Sequence, residues 1–318
     1  MVIRFIQFAE PLKKQFNIQQ KTMLLRGTGV ALITPFIDGE VDFNGLQNVI
    51  EHVISGGTEY VISLGTTGEA PTLDDKEIIK VLEFTVQVVA GRVPVVAGFG
   101  GSNTKAVIRT IKGYHFNGIA AILSSSPAYS KPTQEGLYQH YMAIEAVSPR
   151  PIIIYNVPGR TSQNIDAETT LRLAHSSDKF IAVKEASGDL LQCMKIMRDK
   201  PEHFQLLSGD DALALPMISF GATGVISVIG NALPNEFSTM IRHALSGDFA
   251  TATQEHLSLL AVNDLLYIEG NPAGIKAAME IQGICNKEVR LPLVALSDKN
   301  YLKLKKEIGN LKKNVVMA

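Results

Sequence analysis

The chain has 318 residues, of which 46% are hydrophobic and 19% are charged, so it contains enough apolar sequence for a large core. Thirty basic and thirty-one acidic residues leave a formal net charge of −1, and no basic surplus points to nucleic acid or an anionic membrane as a partner. The two widely spaced cysteines argue against disulfides and metal ligation, no apolar run reaches the roughly 18–20 residues of a membrane span, and we predict a cytoplasmic protein.

Residues 1–22 differ in composition from the chain that follows. They contain four basic residues against a single acid, Glu10, and have neither the apolar segment nor the cleavage signal of a secretory peptide. Serine is absent from this stretch and arginine is scarce, which argues against a transit peptide. We interpret these residues as a loosely attached extension, or as the result of an upstream start, with Met23 as the natural first residue.

In the body of the chain, short apolar runs alternate with segments of helical periodicity. Eight strands alternating with eight helices are typical of a (β/α)8 TIM barrel, which we predict for residues 23–246. A doubly wound open sheet is the alternative, but Gly98-Phe99-Gly100-Gly101 follows the third strand and lacks the dinucleotide-binding spacing. The predicted strands are Val30–Phe36, Tyr60–Gly65, Val93–Gly98, Gly118–Leu123, Pro151–Val157, Phe180–Lys184, Phe204–Ser208 and Gly224–Val228.

Residues 247–318 carry only helical signals and predict a helical extension packed on the barrel. Asn271-Pro272 is a favourable helix start, with a polar cap followed by proline at the first helical position. We expect the residues that follow, Ala273-Gly274-Ile275-Lys276, to lie outside the functional pocket. The three predicted helices are Asp248–Leu266, Pro272–Ile284 and Asp298–Leu311.

The sixth predicted strand runs through four apolar residues directly into Lys184, the pattern of a strand buried on both faces. Barrel enzymes carry their chemistry at the carboxyl ends of the strands, so we expect this lysine at the mouth of the barrel, beside the core. Burial favours the neutral amine over the ammonium ion, and a neutral amine attacks carbonyl carbon to form a Schiff base. The alternative is a lysine that turns to solvent or pairs with Glu185.

Polar residues follow two other strands at the same end of the barrel. After the second strand, Thr66 and Thr67 lie between glycines, where hydroxyls and backbone N–H groups in a tight turn suit a carboxylate. At the end of the fifth strand, Tyr155 offers a phenol for proton transfer, and on the turn that follows, Arg160 offers a planar guanidinium for a second carboxylate. An ordinary turn, a packed tyrosine and a surface arginine are the alternatives. The chain shows no nicotinamide, flavin, phosphate-loop or metal signature, so we predict a covalent imine on Lys184 without cofactor or metal.

Four motifs together resemble those of the 4-hydroxy-tetrahydrodipicolinate synthase family, also called dihydrodipicolinate synthases, over residues 26–295. The resemblance implies a (β/α)8 barrel with a C-terminal helical extension. It also implies the condensation of pyruvate with L-aspartate 4-semialdehyde to 4-hydroxy-tetrahydrodipicolinate, in lysine biosynthesis via diaminopimelate. The motifs are Gly65-Thr66-Thr67-Gly68-Glu69, Tyr155-Asn156-Val157-Pro158-Gly159-Arg160-Thr161, Val183-Lys184-Glu185-Ala186 and Leu207-Ser208-Gly209-Asp210-Asp211.

The resemblance implies catalytic roles for four residues. Lys184 matches the Schiff-base lysine, Tyr155 matches the proton donor and acceptor, and Thr66 matches the threonine beside that tyrosine in the proton relay. Tyr129 matches a relay tyrosine that a neighbouring subunit donates. This last match implies at least a dimer and, as is usual in the family, a homotetramer built from two tight dimers.

Four further positions match substrate-binding residues. Thr67 matches the residue that binds the pyruvate carboxylate, and Arg160 matches the arginine that holds the carboxylate of the semialdehyde. Ile226 matches the position whose backbone carbonyl faces pyruvate, and Gly209 lines the same pocket.

Several members of the family bind lysine as a feedback inhibitor at the dimer interface. The matching positions in this chain offer few hydrogen-bonding groups, which implies weak or absent inhibition by lysine. These positions are Ala70, Pro71, Asp75, Ile78, Ser102, Ala106 and Ala128.

Two other functions are open on the sequence alone. Related pyruvate aldolases, such as N-acetylneuraminate lyase or a 2-keto-3-deoxy sugar acid aldolase, share the lysine and the tyrosine. The pair Thr66-Thr67 and Arg160 favour the synthase, because a Ser-Thr pair is more typical of the neuraminate lyases. A catalytically inactive barrel acting as a binding or scaffold protein would lack Lys184 or Tyr155, and both are present.

Overall fold

The computed structural model describes residues 25–316, so the predicted extension at residues 1–22 lies outside the described part of the chain. Eight parallel strands close into a barrel, in which each strand pairs with the next along the chain and the eighth pairs with the first. Helices connect the strands, which confirms the predicted (β/α)8 barrel. The barrel strands are β1 (Gly27–Ala31), β2 (Tyr60–Ser63), β3 (Val95–Gly98), β4 (Ile119–Ser125), β5 (Ile152–Asn156), β6 (Phe180–Glu185), β7 (Gln205–Ser208) and β8 (Gly224–Ser227).

One main helix follows each barrel strand, and further helices form the C-terminal part of the described chain. No helix within residues 25–316 is long and apolar enough to cross a membrane. The barrel helices are α1 (Phe43–Ser55), α2 (Asp75–Val89), α3 (Thr104–Gly113), α4 (Gln134–Glu145), α5 (Ala167–Ser176), α6 (Leu190–Asp199), α7 (Ala214–Ser219) and α8 (Pro234–Ser246). Shorter elements are a hairpin of Phe36–Ile37 with Glu40–Val41, the helical turn Pro158–Thr161 and the 3₁₀ turns Ala70–Thr72 and Ile229–Asn231.

Polar side chains fix where six of the barrel helices begin. Each accepts a hydrogen bond from a backbone N–H of the first turn, which otherwise has no partner inside the helix. Asp74 additionally forms a capping box with Glu77 at the start of α2. The six capping residues are Asp42, Asp74, Asn103, Thr133, Asp166 and Asp189.

The strands are buried on both faces, which explains why they read as continuous apolar runs in the sequence. Their inward side chains fill the barrel with a separate core that includes Tyr60, Ile62, Ile153 and Ile226. Their outward side chains pack against the surrounding helices in a second and larger core. Side chains at the carboxyl ends of the strands therefore have either an apolar interior or a layer of helices beside them.

The first strand differs from its prediction, Val30–Phe36, because it begins and ends earlier, at Gly27 and Ala31. A Cβ atom on Gly29 would lie 2.1 Å from a ring carbon of Tyr60, so only glycine leaves room for that inward ring. A Cβ on Gly224, which pairs with Gly27 across the seam of the barrel, would lie 2.1 Å from the Gly27 carbonyl oxygen. The position of this strand in the chain therefore depends on glycines that allow neighbouring groups to approach closely, and not on the apolar run that follows it.

The C-terminal part consists of α9 (Phe249–Tyr267), α10 (Ala273–Ile281) and α11 (Asp298–Val316). Helix α9 packs against α8 and against α11, which joins this part to the barrel. Gly247, with φ +89°, ends α8 in the left-handed region that favours glycine. The division into a barrel at 23–246 and an extension at 247–318 stays a prediction.

Candidate active site

Lys184 and Tyr155 lie side by side at the mouth of the barrel. The register of β5 and β6 pairs them directly, and both side chains are buried, with 5% and 7% of their surface exposed. The Nζ atom of Lys184 lies 4.3 Å from the centre of the Tyr155 ring. Among the residues that the structure describes, no acidic side chain forms an ion pair with this amine. The site therefore presents a buried amine beside a phenol, without a carboxylate counter-ion.

Glu185 points away from Lys184, so the alternative in which the two pair with each other is wrong. Successive side chains of a strand lie on opposite faces, and Glu185 lies outside the barrel beneath the helices. Its carboxylate accepts hydrogen bonds from Asn156 Nδ2 at 3.0 Å, Gln192 Nε2 at 3.0 Å and the Ser187 backbone N–H at 2.8 Å. This group links the ends of β5 and β6, the two strands that carry Tyr155 and Lys184.

Gly209 leaves room for the lysine side chain. A Cβ atom at this position would lie 3.1 Å from Lys184 Cε and 2.7 Å from Ala186 Cβ. The Gly209 backbone N–H donates to the Glu185 carbonyl at 2.7 Å, which holds the end of β7 against β6. On the neighbouring strand, Ile226 of β8 is 1% exposed and belongs to the interior core. The structure thus brings both predicted pocket residues to the barrel interior.

Asp211, in the motif after β7, has a structural role that the sequence did not reveal. Its Oδ2 atom accepts hydrogen bonds from the backbone N–H groups of Val228 at 2.9 Å and Ile229 at 2.8 Å, just beyond the end of β8. Burial raises the pKa of this carboxyl group to about 6. The carboxyl group therefore fixes the turn that follows the strand of Ile226.

The threonine turn after β2 begins with a strained residue. Leu64 has φ +61°, a left-handed conformation that is rare for a residue with a branched side chain. The Leu64 carbonyl oxygen would lie 2.2 Å from a Cβ atom on Gly98 of β3, so that position must be glycine. The turn leaves Thr66 partly buried and Thr67 almost fully buried, at 2% exposure. Strain of this kind clusters at functional sites, where the surrounding structure holds it in place.

Asn271 connects the threonine turn to Arg160. Its Nδ2 atom donates a hydrogen bond to Thr67 Oγ1 at 3.0 Å, and its carbonyl oxygen accepts one from Arg160 Nη2 at 3.2 Å. The predicted capping role for Asn271 is wrong, because α10 begins at Ala273 with Pro272 as its N-cap residue and no side-chain cap bond. Sequence reasoning missed these two contacts, because Thr67 and Asn271 lie 204 positions apart in the chain.

Lys276, near the start of α10, contacts the end of the threonine turn, and the expectation that this segment lies outside the pocket stays a prediction. Its Nζ atom forms a fully buried ion pair with Glu69, at 2.5 Å, at the end of the threonine turn. It also donates to the Glu288 carbonyl at 2.7 Å and lies 4.0 Å from the centre of the Phe36 ring. Burial lowers the pKa of Lys276, and Glu69 opposes that effect. The turn that carries Thr66 and Thr67 is therefore held from the C-terminal part of the chain.

Tyr129 lies apart from the other candidate residues within this chain. It is 95% exposed and has φ +70°, in the loop that follows β4. Ser102 fixes this loop, because its hydroxyl donates to the Ala128 carbonyl at 2.9 Å and accepts from the Ala128 N–H at 3.2 Å. The contribution of Tyr129 to a neighbouring subunit stays a prediction.

A sequence profile of the dihydrodipicolinate synthetase family matches residues 24–311. The chain belongs to the dihydrodipicolinate synthetase family. A relative from Parabacteroides distasonis, named 4-hydroxy-tetrahydrodipicolinate synthase, is 47% identical over 288 residues, covering 90% of this chain and 97% of the relative. The match to this family extends beyond the barrel into α11, so it includes the residues around Asn271 and Lys276.

Solved structures of the dihydrodipicolinate synthetase family have the same fold. The dihydrodipicolinate synthase of Aquifex aeolicus superposes with a TM-score of 0.88 at 42% identity, over 90% of this chain and 98% of that one. The 4-hydroxy-tetrahydrodipicolinate synthase of Methylacidiphilum fumariolicum SolV gives a TM-score of 0.89 at 36% identity, over 92% and 98%. The names of these relatives favour the synthase over the related aldolases.

Proposed function

We propose that this chain is a 4-hydroxy-tetrahydrodipicolinate synthase that condenses pyruvate with L-aspartate 4-semialdehyde through an imine on Lys184. The observation that carries the proposal is the pairing of Lys184 with Tyr155 inside the barrel, with the amine free of any carboxylate among the described residues. A buried amine without an anionic partner is suited to attack a carbonyl carbon. The names of the 45–47% identical relatives support the choice of substrates.

The first half of the reaction captures pyruvate. The Lys184 amine attacks the C2 carbonyl carbon, and the resulting carbinolamine loses water to give an imine. Tyr155 donates the proton that the leaving water takes, and Thr66 with the partner subunit's Tyr129 returns protons to it from solvent. Loss of a C3 proton then converts the imine to an enamine. Thr67 holds the pyruvate carboxylate, while Gly209 and Ile226 line the pocket.

The second half forms the new carbon–carbon bond. The enamine carbon attacks the aldehyde carbon of the semialdehyde, and the alkoxide that forms takes a proton from the relay. The amino group of the semialdehyde then displaces Lys184 from C2 and closes the ring, so that one water is released overall. Arg160 holds the second carboxylate with its planar fork. No step requires a cofactor.

The proposed assembly is a homotetramer in the cytoplasm, built from two tight dimers. The 95% exposure of Tyr129 supports this proposal. A tyrosine that faces solvent in its own chain can act in the proton relay only at the barrel mouth of a second chain. The free thiols of Cys193 and Cys285 agree with a reducing compartment.

Borohydride reduction in the presence of pyruvate tests the proposal. The intact chain should gain one covalent adduct, peptide mapping should locate it on Lys184, and Lys184→Ala should gain none. A coupled assay should then show turnover with the semialdehyde and no cleavage of sialic acid. An adduct on another lysine would exclude the proposed nucleophile, and cleavage of sialic acid without turnover of the semialdehyde would exclude the proposed substrates.

A further inference from the structure

Asn271 lies between the two groups that are proposed to hold the two substrate carboxylates. Its side chain donates to Thr67 Oγ1 at 3.0 Å, and its main-chain carbonyl accepts from Arg160 Nη2 at 3.2 Å. The residue is only 7% exposed, although it belongs to the connection between α9 and α10 and not to the barrel. The sequence predicted only a helix cap at this position, and the structure contradicts that role.

The direction of the bond to Thr67 has a consequence for the threonine proton. A hydroxyl has one proton and two lone pairs, so a hydroxyl that accepts from an amide keeps its proton for another partner. A carboxylate only accepts hydrogen bonds, and it therefore needs that proton. If Thr67 instead donated to Asn271, its remaining lone pair would face the substrate carboxylate and repel it.

We propose that Asn271 is a positioning residue that makes the Thr67 hydroxyl a donor to the carboxylate of pyruvate. This inference rests on the proposed function and adds to it the residue that sets the direction of the hydrogen bond between Thr67 and the substrate carboxylate. Asn271 acts through Thr67 and does not itself touch the keto acid. Because its main-chain carbonyl also holds Arg160, one residue orders both carboxylate-binding groups.

Two substitutions separate this role from simple packing. Asn271→Asp keeps the shape but replaces the amide donor with an acceptor, which draws the Thr67 proton away from the substrate. Asn271→Ala removes the side chain and leaves the hydroxyl free to rotate towards the substrate. We expect the KM for pyruvate to rise by about 10- to 100-fold in the aspartate variant, as for loss of a hydrogen bond to a charged group. The alanine variant should show a smaller rise, below about tenfold.

The KM for the semialdehyde should rise less than that for pyruvate in both variants, because the carbonyl that holds Arg160 remains. Thermal unfolding and the pyruvate adduct, measured at saturating pyruvate, verify that each variant is folded and retains its nucleophile. A packing role predicts the opposite order, with alanine worse than aspartate, and that order would overturn the inference.

The variant Thr67→Val distinguishes an effect through the Thr67 hydroxyl from a direct effect of the aspartate charge on the substrate. If Asn271 acts through the hydroxyl, Asn271→Asp should raise the pyruvate KM much less in the valine background than in the wild type. An undiminished rise in that background would reject the inference. Failure of the wild-type chain to form a pyruvate adduct would instead reject the proposed function, so the two failures are distinguishable.

Discussion

Two buried lysines, Lys184 of β6 and Lys276 of α10, differ in the partners of their amines. Both amines lie over an aromatic ring, at 4.3 Å from Tyr155 and 4.0 Å from Phe36. Lys276 also has the carboxylate of Glu69 at 2.5 Å, whereas Lys184 has no such counter-ion among the described residues. Burial is therefore common to the proposed nucleophile and to a lysine in a structural ion pair, and the presence of a counter-ion distinguishes them.

The strongest test of this comparison replaces each lysine with methionine, which fills a similar volume without a charge. Lys184→Met should lose the pyruvate adduct and all measurable turnover while it remains folded. Lys276→Met should still form the adduct on Lys184, because its own amine is not the nucleophile. Intact mass after reduction with borohydride, measured well below the unfolding temperature, checks both results. An adduct on the Lys184→Met protein would show that another amine captures pyruvate and would contradict the distinction between the two lysines.

Removing the Tyr155 hydroxyl beside Lys184 should have the next largest effect. Tyr155→Phe keeps the ring over Lys184 and deletes only the hydroxyl that is proposed to transfer protons. We expect kcat to fall by about 10²–10⁴-fold, the usual contribution of general acid–base catalysis. Steady-state kinetics with an unchanged unfolding temperature as the control would establish this. A rate near that of the wild type would remove Tyr155 from the proton relay.

Breaking the structural pair should act on stability. Lys276→Met leaves the Glu69 carboxylate buried without a cation, which should cost about 3–5 kcal/mol of unfolding free energy. The double variant Lys276→Met, Glu69→Gln should regain a large part of this loss, because no buried charge is left without a partner. Urea unfolding followed by circular dichroism measures each difference. Equal losses in the single and double variants would show that the charge pairing is unimportant.

A smaller effect is expected at Arg160, which is exposed and lies at the edge of the mouth. Arg160→Ala should raise the KM for the semialdehyde by about 10- to 100-fold, as for a lost charged hydrogen bond, and leave pyruvate capture nearly unchanged. Adduct formation at varied pyruvate concentrations reports the first half-reaction separately. An equal effect on both halves would mean that Arg160 orders the whole mouth through Asn271.

The smallest effect is expected from free lysine. At millimolar concentrations it should inhibit the activity weakly or not at all, because the positions that match the inhibitor site offer few free hydrogen-bonding groups. Ser102 shows this directly, since its hydroxyl already bonds the backbone of Ala128. An activity assay with and without lysine checks the expectation, and strong inhibition would contradict it.

The sequence predicted what depends on local patterns. Apolar runs indicated the eight strands, and polar residues at or just after the strand ends placed Lys184, Tyr155 and the two threonines at one end of the barrel. The prediction for the first strand is wrong because glycine has no side chain to mark the strand, and the need for Gly29 comes from the ring of Tyr60 on another strand.

The residues that support the site could not be predicted in the same way. Asn271 and Lys276 contact the threonine turn from a distance of about two hundred positions, which no local pattern records. Lys276 did carry a usable signal, because it stands among apolar residues in Ala273–Met279, much as Lys184 does in its strand. Only the position of Glu69 in the fold shows what that lysine binds.

The conformation of Leu64 limits how this turn can be transplanted. Its carbonyl oxygen occupies the space where any side chain at position 98 would begin. An engineer who copies Gly65–Glu69 into another barrel must therefore also bring a glycine at the matching place on the neighbouring strand. Without that second change the grafted loop would be forced into a different shape, however faithful the copied segment.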